Sequence, residues 1–565
     1  MTDTRAASWL LRSAGKYKGY IVLLLLLQAL GNGGAVCYAL VMKKMVDCAV
    51  EQNREGFYAG LFYFALLMIV LVVLRMLLRH LEEATRSSME NCFKEKLFEK
   101  LLYKDYGQIS AVHSEEWMNR MTSDTSVCAG GMTDIIPGFI GMLVRMTGAL
   151  IMMFLLQPKL ACILIPGGIV FVGITLVLRK VLKGQHKRVQ EKDGALRVYL
   201  QERISSMLII RTFGAEKKAL SGAETKFVEH KKARIRKAFI SNLCNTGFSF
   251  AINGMYLLGI GYCGYGILNG VVSYGTLTAI MQLIGQLHAP LSGISGFVPR
   301  FFACVASAER LMEVESYAEA NTDDVKTTEE AKELYDKAME KIVFDKVSFD
   351  YIKENDRCPV LREISLSVDK GDYVAITGTS GCGKSTLLKL LMGIYEPQNG
   401  NVGVILSDRD RQPVRTLRRL FAYVPQGNYL MGGTIREVIT FGDCREAGAK
   451  LQRNCMTVEK ALELACGDFV FELPEGLDTM LGEKGAGLSE GQMQRIAIAR
   501  ALYADAPVLI LDEATSALDG ETERRLLNNL KQLTNKTVFI VTHRSEAIRI
   551  CNRKLEFADE AVRLR

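Results

Sequence analysis

The chain has 565 residues, 49% of them hydrophobic and 23% charged, with a mean hydropathy of +0.12 that is high for a soluble protein of this size. Such a length excludes a single hydrophobic core. The formal charge of +8 comes without a basic stripe interleaved with aromatics, which argues against a nucleic-acid partner, and the 14 cysteines lack the paired C-x-x-C spacing of a zinc site or a disulfide scaffold.

Taken in order, residues 1–18 set Arg5, Arg12, Lys16 and Lys18 among Trp9, Leu10 and Leu11, the pattern of an amphipathic segment at a membrane surface. The apolar run that follows is too long for the h-region of a secretory signal, so no cleaved leader is expected. A membrane-crossing helix needs roughly 20 predominantly apolar residues. Tyr20 to Met42 is uncharged and supplies the first, and Phe57 to Leu74, extended beyond Arg75, supplies the second. Residues 135–158, interrupted by Arg145, give the third, and Leu160 to Leu178 the fourth. From Ala238 to Pro299 no Asp, Glu, Lys or Arg occurs, and the stretch divides near Leu268–Tyr274, where Asn269, Gly270 and Gly275 mark a turn. Six spans are predicted, making this an integral, multi-pass membrane protein surrounded by lipid.

The second connection, Arg75 to Asp134, and the fourth, Arg179 to Lys237, are long and charged. Residues 179–237 hold 17 Lys or Arg against six Asp or Glu. The positive-inside tendency places both connections and both termini in the cytoplasm, with a bacterial cytoplasmic membrane as the expected setting. Each connection has helix-compatible composition and reads as a helical hairpin reaching about 35–40 Å beyond the bilayer. Arg145 has two readings: contact with an anionic substrate or an internal pair, or a side chain that snorkels out of the span. His288, Gln282 and Gln286 are possible cavity residues, or else ordinary interhelical hydrogen-bonders.

Residues 306–340 lose the long apolar runs. The expected division is 1–315 for the membrane domain, 316–341 for a linker and 342–565 for a nucleotide-binding α/β domain with a smaller helical part. Its sharpest motif is "GTSGCGKST", after the strand candidate Tyr373–Ile376 and before a helix near Leu387. Gly378, Ser380, Gly381, Cys382 and Gly383 form a tight loop whose backbone N–H groups can cradle phosphates. Lys384 can reach the β/γ-phosphates, Ser385 can ligate magnesium, and Thr386 closes the motif. "VLILDEATSALD" ends a buried strand in Asp512, suited to organising Mg2+, and Glu513, suited to deprotonating the attacking water. His543 ends "TVFIVTH", where it can orient that water, and Gln426 in "YVPQGNYL" can touch Mg2+ or water.

Together with "GAGLSEGQMQRIAIARAL" at 485–502, these motifs resemble the ATPase domain of ATP-binding cassette transporters. The N-terminal half, including "LQERISSMLIIRTFGAE" at 200–216, resembles the exporter type with the membrane domain first. The resemblance implies a half-transporter that works as a dimer with a second half, identical or homologous, using ATP and Mg2+ to move an unidentified substrate. It further implies that Ser489 and Gly491 close over nucleotide on the partner while Gln492 supports the motif. On the same basis Tyr351 would stack on adenine, Ser516 to Asp519 would join the two ATP sites, and Glu483 would communicate with the arms. Two departures stand out: Glu490 replaces the usual signature glycine, and the end at Arg565 is shorter than the usual family terminus. The competing readings are an importer of siderophores or metal chelates on the same architecture, and a membrane ATPase that regulates without transporting.

Overall fold

The computed structural model describes residues 2–320, 327–353, 356–408, 410–427, 430–441, 456–482, 487–533, 535–558 and 561–564. They form two compact units, one of residues 1–101 and 115–316, the other of residues 102–114 and 317–565.

The first unit is helical. A short α1 (Thr2–Ser13) precedes α2 (Lys18–Val50) and the 50-residue α3 (Arg54–Tyr103). In the second unit, α4 (Tyr106–Ser110) starts where the Asp105 side chain accepts from the Gln108 N–H. Back in the first unit, α5 (Ser114–Asn119), α6 (Thr125–Gly130) and α7 (Ile136–Leu156) form one near-continuous rod interrupted by two π-helical turns, Arg120–Asp124 and Gly131–Ile135. Pro158 at the first turn opens α8 (Pro158–Ser205), and α9 (Met207–Thr212) leads into the 53-residue α10 (Glu216–Leu268). Gly270, at φ +70°, makes the turn expected from the sequence, and the Ser273 hydroxyl caps α11 (Tyr274–Glu313). At 1.5 Å per residue α3 and α10 are each about 75–80 Å long, far more than a bilayer's hydrocarbon requires.

Among the described residues, helices long and apolar enough to cross a membrane occupy Gly15–Val50, Arg54–Tyr103, Ser114–Leu156 and Ser249–Leu268. Their apolar surface faces outward: Phe62, Leu66, Ile69 and Val73 line one exposed face of α3. In water such a stripe would drive aggregation, whereas in lipid it is the favourable arrangement. Small residues let the helices approach where α2, α7 and α11 meet around Val36, Ala39, Ala149, Met153 and Leu283.

A buried ion-paired cluster ties the π-turned rod to α11. Asp124, 2% exposed, accepts from Ser307 Oγ at 2.8 Å and from Arg310 Nε at 2.8 Å and Nη2 at 2.5 Å. Arg120 pairs with Glu116 and Glu313 and lies over the Trp117 ring. The two ends of the Asp124–Arg310 pair differ in exposure, at 2% and 43% of the side chain. Removing Arg310 strands a buried carboxylate, while removing Asp124 leaves a guanidinium that water can reach. Arg310→Ala is therefore expected to cost about 3 kcal/mol and to lower the melting temperature more than Asp124→Ala. Thermal unfolding of the two purified variants checks the order, and equal losses would refute it.

In the second unit, the Thr327 capping box starts α12 (Thr328–Lys337). Strands β1 (Met339–Lys353), β2 (Asp356–Asp369), β4 (Asn399–Leu406) and β5 (Arg411–Pro413) make an antiparallel sheet in the order β2-β1-β4-β5. The second sheet contains β3 (Tyr373–Thr377), β6 (Phe421–Val424), β9 (Val508–Asp512), β10 (Thr537–Val541), β11 (Arg553–Ala558) and β12 (Ala561–Leu564). Its order is β12-β11-β3-β10-β9-β6, parallel except for β12 at the edge. Strands β9 and β10 are buried at every position, which is why "VLILD" and "TVFIV" read as unbroken apolar runs. Helix α13 (Lys384–Leu391) follows β3. A smaller helical part holds α14 (Ile435–Thr440), α15 (Val458–Leu464) and α16 (Glu490–Tyr503), joined by the short pair β7 (Gly433–Thr434) and β8 (Met480–Leu481). Helices α17 (Gly520–Lys531) and α18 (Ser545–Arg549) complete the unit.

Candidate functional site

Parallel register places the chemistry. Ile376 of β3 lies beside Val541 of β10, which lies beside Asp512 of β9, and Leu511 pairs with Val424 of β6. The residues just past these ends are the phosphate loop, His543, Glu513 and Gln426, so all four emerge along one edge of the sheet. This is where α/β folds of this kind bind ligands.

The phosphate loop turns through left-handed backbone. Gly383 has φ +102°, and a Cβ there would lie 2.9 Å from Leu361 and 3.0 Å from Val360. Gly378, at φ +152°, would bring a Cβ within 2.7 Å of Phe557. Only glycine meets both demands. Lys384, 7% exposed, donates to the Gly378 carbonyl at 2.6 Å and to that of Thr379 at 2.9 Å. Its charge is thereby held inside the loop, where it complements a polyphosphate. Cys382 is half-buried, and Ser380 and Gly381 are exposed at the crest of the loop.

Asp512 is buried, and its Oδ2 accepts from both Ser385 Oγ and Tyr423 OH at 3.2 Å. Burial pushes the Asp512 carboxyl above its ordinary value, against the opposing pull of those two hydroxyls. Glu513 sits in left-handed backbone, φ +51°, a strained state for a side-chain-bearing residue, and its N–H donates to the Val541 carbonyl. Gln426 Nε2 donates to Glu513 Oε2 at 2.8 Å, bringing the β6 loop to the carboxylate. His543 is exposed at the end of β10. Ser385 and Asp512 supply oxygen ligands of the kind Mg2+ takes when it keeps waters and phosphate oxygens for its other positions. Once bound, the cation would neutralise developing phosphate charge.

The signature residues lie elsewhere. Ser489 caps α16: its Oγ accepts from Gln492 N–H, and Gln492 Oε1 accepts from Ser489 N–H. Glu490 is exposed in the first turn, where the helix dipole favours a negative charge. Gly491 packs against the 515–519 loop, and a Cβ there would lie 2.8 Å from the Ala517 carbonyl. Among the described residues, neither Ser489 nor Gln492 hydrogen-bonds to the phosphate loop of its own chain. Glu483 lies outside the described residues.

Tyr351 is placed beside the loop but in company. Its hydroxyl is 3.2 Å from Thr386 Oγ1, and its ring meets Phe349 and Tyr395 edge-on. Tyr395 also faces α4, with its ring 6.1 Å from that of Tyr106 and its hydroxyl 3.5 Å from Ser110 Oγ. A continuous set of aromatic contacts thus runs from α4 to the end of the phosphate loop.

Three residues that sequence reasoning passed over belong to the site. Tyr423 supports Asp512. Gln494, 3% exposed, donates to Ser516 Oγ at 2.9 Å and accepts from the Ala517 N–H at 3.0 Å. Arg544 donates to the Ser516 and Leu518 carbonyls and to Glu523 Oε2 at 2.7 Å. Its position next to His543 was the one available signal. The Glu523 side chain is 4% exposed and its other oxygen has no hydrogen-bond partner among the described residues. Arg544→Ala is therefore expected to destabilise this unit by about 3 kcal/mol, with Arg544→Lys intermediate because it cannot reproduce the forked contacts. A thermal unfolding series reads this directly, and an unchanged alanine variant would contradict it.

A phosphate loop, an acidic strand end and a capped signature helix on a parallel sheet, in a chain with long lipid-compatible helices, define a P-loop ATPase built for membrane work. The chain belongs to the ABC transporter family: residues 21–291 match the ABC transporter transmembrane region and residues 361–516 match the ABC transporter ATPase domain. It is an ATP hydrolase coupled to transport. It is 30% identical to the probable multidrug resistance ABC transporter ATP-binding/permease protein YheI of Bacillus subtilis, over 89% of this chain and 85% of that protein. It is 32% identical to the ATP-dependent lipid A-core flippase of Desulfotalea psychrophila, over 77% of this chain and 74% of that protein. In fold it is similar to a bacterial Atm1-family ABC exporter with ATP bound, at a TM-score of 0.77 and 22% identity, over 97% of this chain and 94% of that one.

Proposed function

We propose that the chain is a six-span half-transporter, membrane domain 1–315, linker 316–341 and ATPase domain 342–565, that exports an amphiphilic molecule as a dimer with an identical or homologous half. The supporting observation is the signature helix: Ser489 caps its exposed end and, among the described residues, makes no hydrogen bond to its own phosphate loop, leaving that end available to nucleotide on a second ATPase domain. The names of the relatives, multidrug transporters and lipid A-core flippases, favour an amphiphile over a peptide or a metal chelate.

In this reading the phosphate loop binds ATP through backbone N–H groups and Lys384, with Tyr351 beside the adenine. Ser385, Asp512 and Gln426 hold Mg2+. Glu513 accepts a proton from the attacking water, with His543 and Gln426 orienting it. Ser489 and Gly491 complete the partner's site. Charge in residues 179–237 supports a cytoplasmic ATPase domain in a bacterial membrane. Purified chain reconstituted into vesicles is expected to move a fluorescent amphiphile in an ATP-dependent direction, with a mass corresponding to two halves. Hydrolysis without movement of neutral, cationic or anionic probes would favour a regulator instead, and accumulation of the probe on the ATPase side would favour import.

A further inference from the structure

The acid pair at the end of β9 is served by two donors from one neighbouring strand. Tyr423 in β6 and Gln426 just past its end reach adjacent carboxylates. The Tyr423 hydroxyl donates to Asp512 Oδ2 at 3.2 Å, and Gln426 Nε2 donates to Glu513 Oε2 at 2.8 Å. Gln426 already has a place in the proposed chemistry, beside water and magnesium. Tyr423 has none.

Strand alternation explains how that hydroxyl arrives. Tyr423 lies opposite Ile510 in parallel register. With Phe421 it packs against the core that holds Val508 and Ile510 on one face of the sheet, while Ala422 and Val424 join the core on the other. Asp512 is two residues beyond Ile510 on that same face, roughly 6–7 Å along the strand. A side chain rooted at 423 must therefore be long, apolar along its body and polar at its tip. Tyrosine meets all three demands. Phenylalanine would fill the same core and leave the carboxylate short of one donor.

A buried carboxylate needs a donor in any protein, and Ser385 Oγ, also 3.2 Å from Asp512 Oδ2, already is one. The two donors differ in their other duties. Ser385 belongs to the first turn of α13, directly after the phosphate loop, and its oxygen is itself wanted as a ligand. Mg2+ demands near-ideal octahedral geometry, so a carboxylate that faces it is best held by a group outside the ligand set. Tyr423 meets that need. It stands on a separate strand, outside the phosphate loop, with its ring held in the sheet's core.

We infer that Tyr423 is a positioning residue of the magnesium site, its hydroxyl orienting the Asp512 carboxylate toward a cation shared with Ser385. This rests on the reading above that Ser385 and Asp512 hold Mg2+, and it adds a residue that acts on the cation through Asp512. Loss of such an outer partner weakens a metal site by about 10–100-fold while the ligands stay in place. A tyrosine of purely structural value would instead affect nucleotide binding alike with and without metal.

The test uses the purified full chain with a stoichiometric nonhydrolysable ATP analogue and Mn2+, which takes the same octahedral oxygen ligands as Mg2+ and whose free ion is read by electron paramagnetic resonance. Tyr423→Phe is expected to weaken Mn2+ binding to the analogue-loaded protein about tenfold, with affinity for the analogue in a metal chelator unchanged within about twofold. Ser385→Ala should weaken Mn2+ at least as much, which locates the ion at this site. Protein carrying 3-fluorotyrosine at 423, which keeps ring and hydroxyl, is expected to hold Mn2+ as wild type does. Wild-type Mn2+ affinity in Tyr423→Phe would overturn the inference and leave Ser385 and Asp512 as ligands. Equal loss of analogue binding with and without metal, or a phenylalanine variant that does not fold, would make Tyr423 a structural residue and overturn it as well. Mn2+ binding that Ser385→Ala leaves untouched would refute the ligand reading itself, and this inference with it.

Discussion

Glu513→Gln is expected to lower ATP turnover by about 10²–10⁴-fold while leaving ATP binding in place, the size of effect associated with loss of a positioned general base. Glutamine keeps the shape and can still hydrogen-bond Gln426, whose amide now donates to Glu513 Oε2. What it cannot do is accept a proton. The left-handed backbone at Glu513, φ +51°, fixes where that carboxylate points, and a substitution of equal size leaves this constraint intact. Binding should survive because the groups proposed to meet the phosphates, Lys384 and the loop glycines, lie at the turn from β3 into α13, two strands away across β10. The measurement is steady-state ATPase beside equilibrium nucleotide binding on the same preparation. Turnover within a few-fold of wild type would remove Glu513 from the role of base. Loss of binding along with turnover would mean the carboxylate is structural.

The parts of this molecule that sequence displayed are those where one physical demand dominates. "GTSGCGKST" was readable because left-handed turns and close backbone approach admit only glycine, as the clash distances at Gly378 and Gly383 bear out. Strands β9 and β10 were readable because burial on both faces leaves unbroken apolar runs ending in polar residues. The break at Leu268–Tyr274 was readable from Asn269 and Gly270, and α10 ends and α11 begins there. Span counting was less secure. The described residues give four helices that are apolar and long enough, while the predicted spans Leu160–Leu178 and the one after Tyr274 run into positions outside those described.

Long-range polar contacts were not readable at all. Nothing in "RSEAIR" announces that Arg544 clasps the 516–518 carbonyls and a buried Glu523, since the partners lie 21 to 28 residues away. Gln494 looked like one more polar residue on a helix, yet it is buried against the same loop. The Asp124–Ser307–Arg310 cluster joins residues more than 180 apart in sequence. Likewise Tyr351 matched its motif, but its packing on Tyr395 and its bond to Thr386 depend on strands β1 and β4 folding beside the loop. In each case side-chain chemistry was visible and the pairing was supplied by topology.

Asp512→Asn carries two effects of opposite sign, which makes it the more searching test. Asp512 is 2% exposed and beside Glu513, and burial holds its carboxyl above the ordinary value. An acid whose folded pKa is raised keeps its proton better in the folded state than in the unfolded one. Stability is therefore lost as pH rises from the ordinary carboxyl value through the raised one, and the loss persists at pH 7. Asparagine removes that penalty and can still accept one of the hydroxyl bonds from Ser385 and Tyr423. The nucleotide-free variant is expected to melt a few degrees above wild type at pH 7, with the gap closing toward pH 4. Adding ATP and magnesium should reverse the order, because ligand stabilises only the chain that binds it well. Turnover should fall at least about 10²-fold, since the carboxylate proposed to hold the cation is gone. If the variant instead melted lower than wild type at pH 7 without nucleotide, the two hydroxyl bonds would outweigh burial. Asp512 would then be a structural anchor as much as a ligand, and the tension between folding and phosphate chemistry at this strand end would not exist.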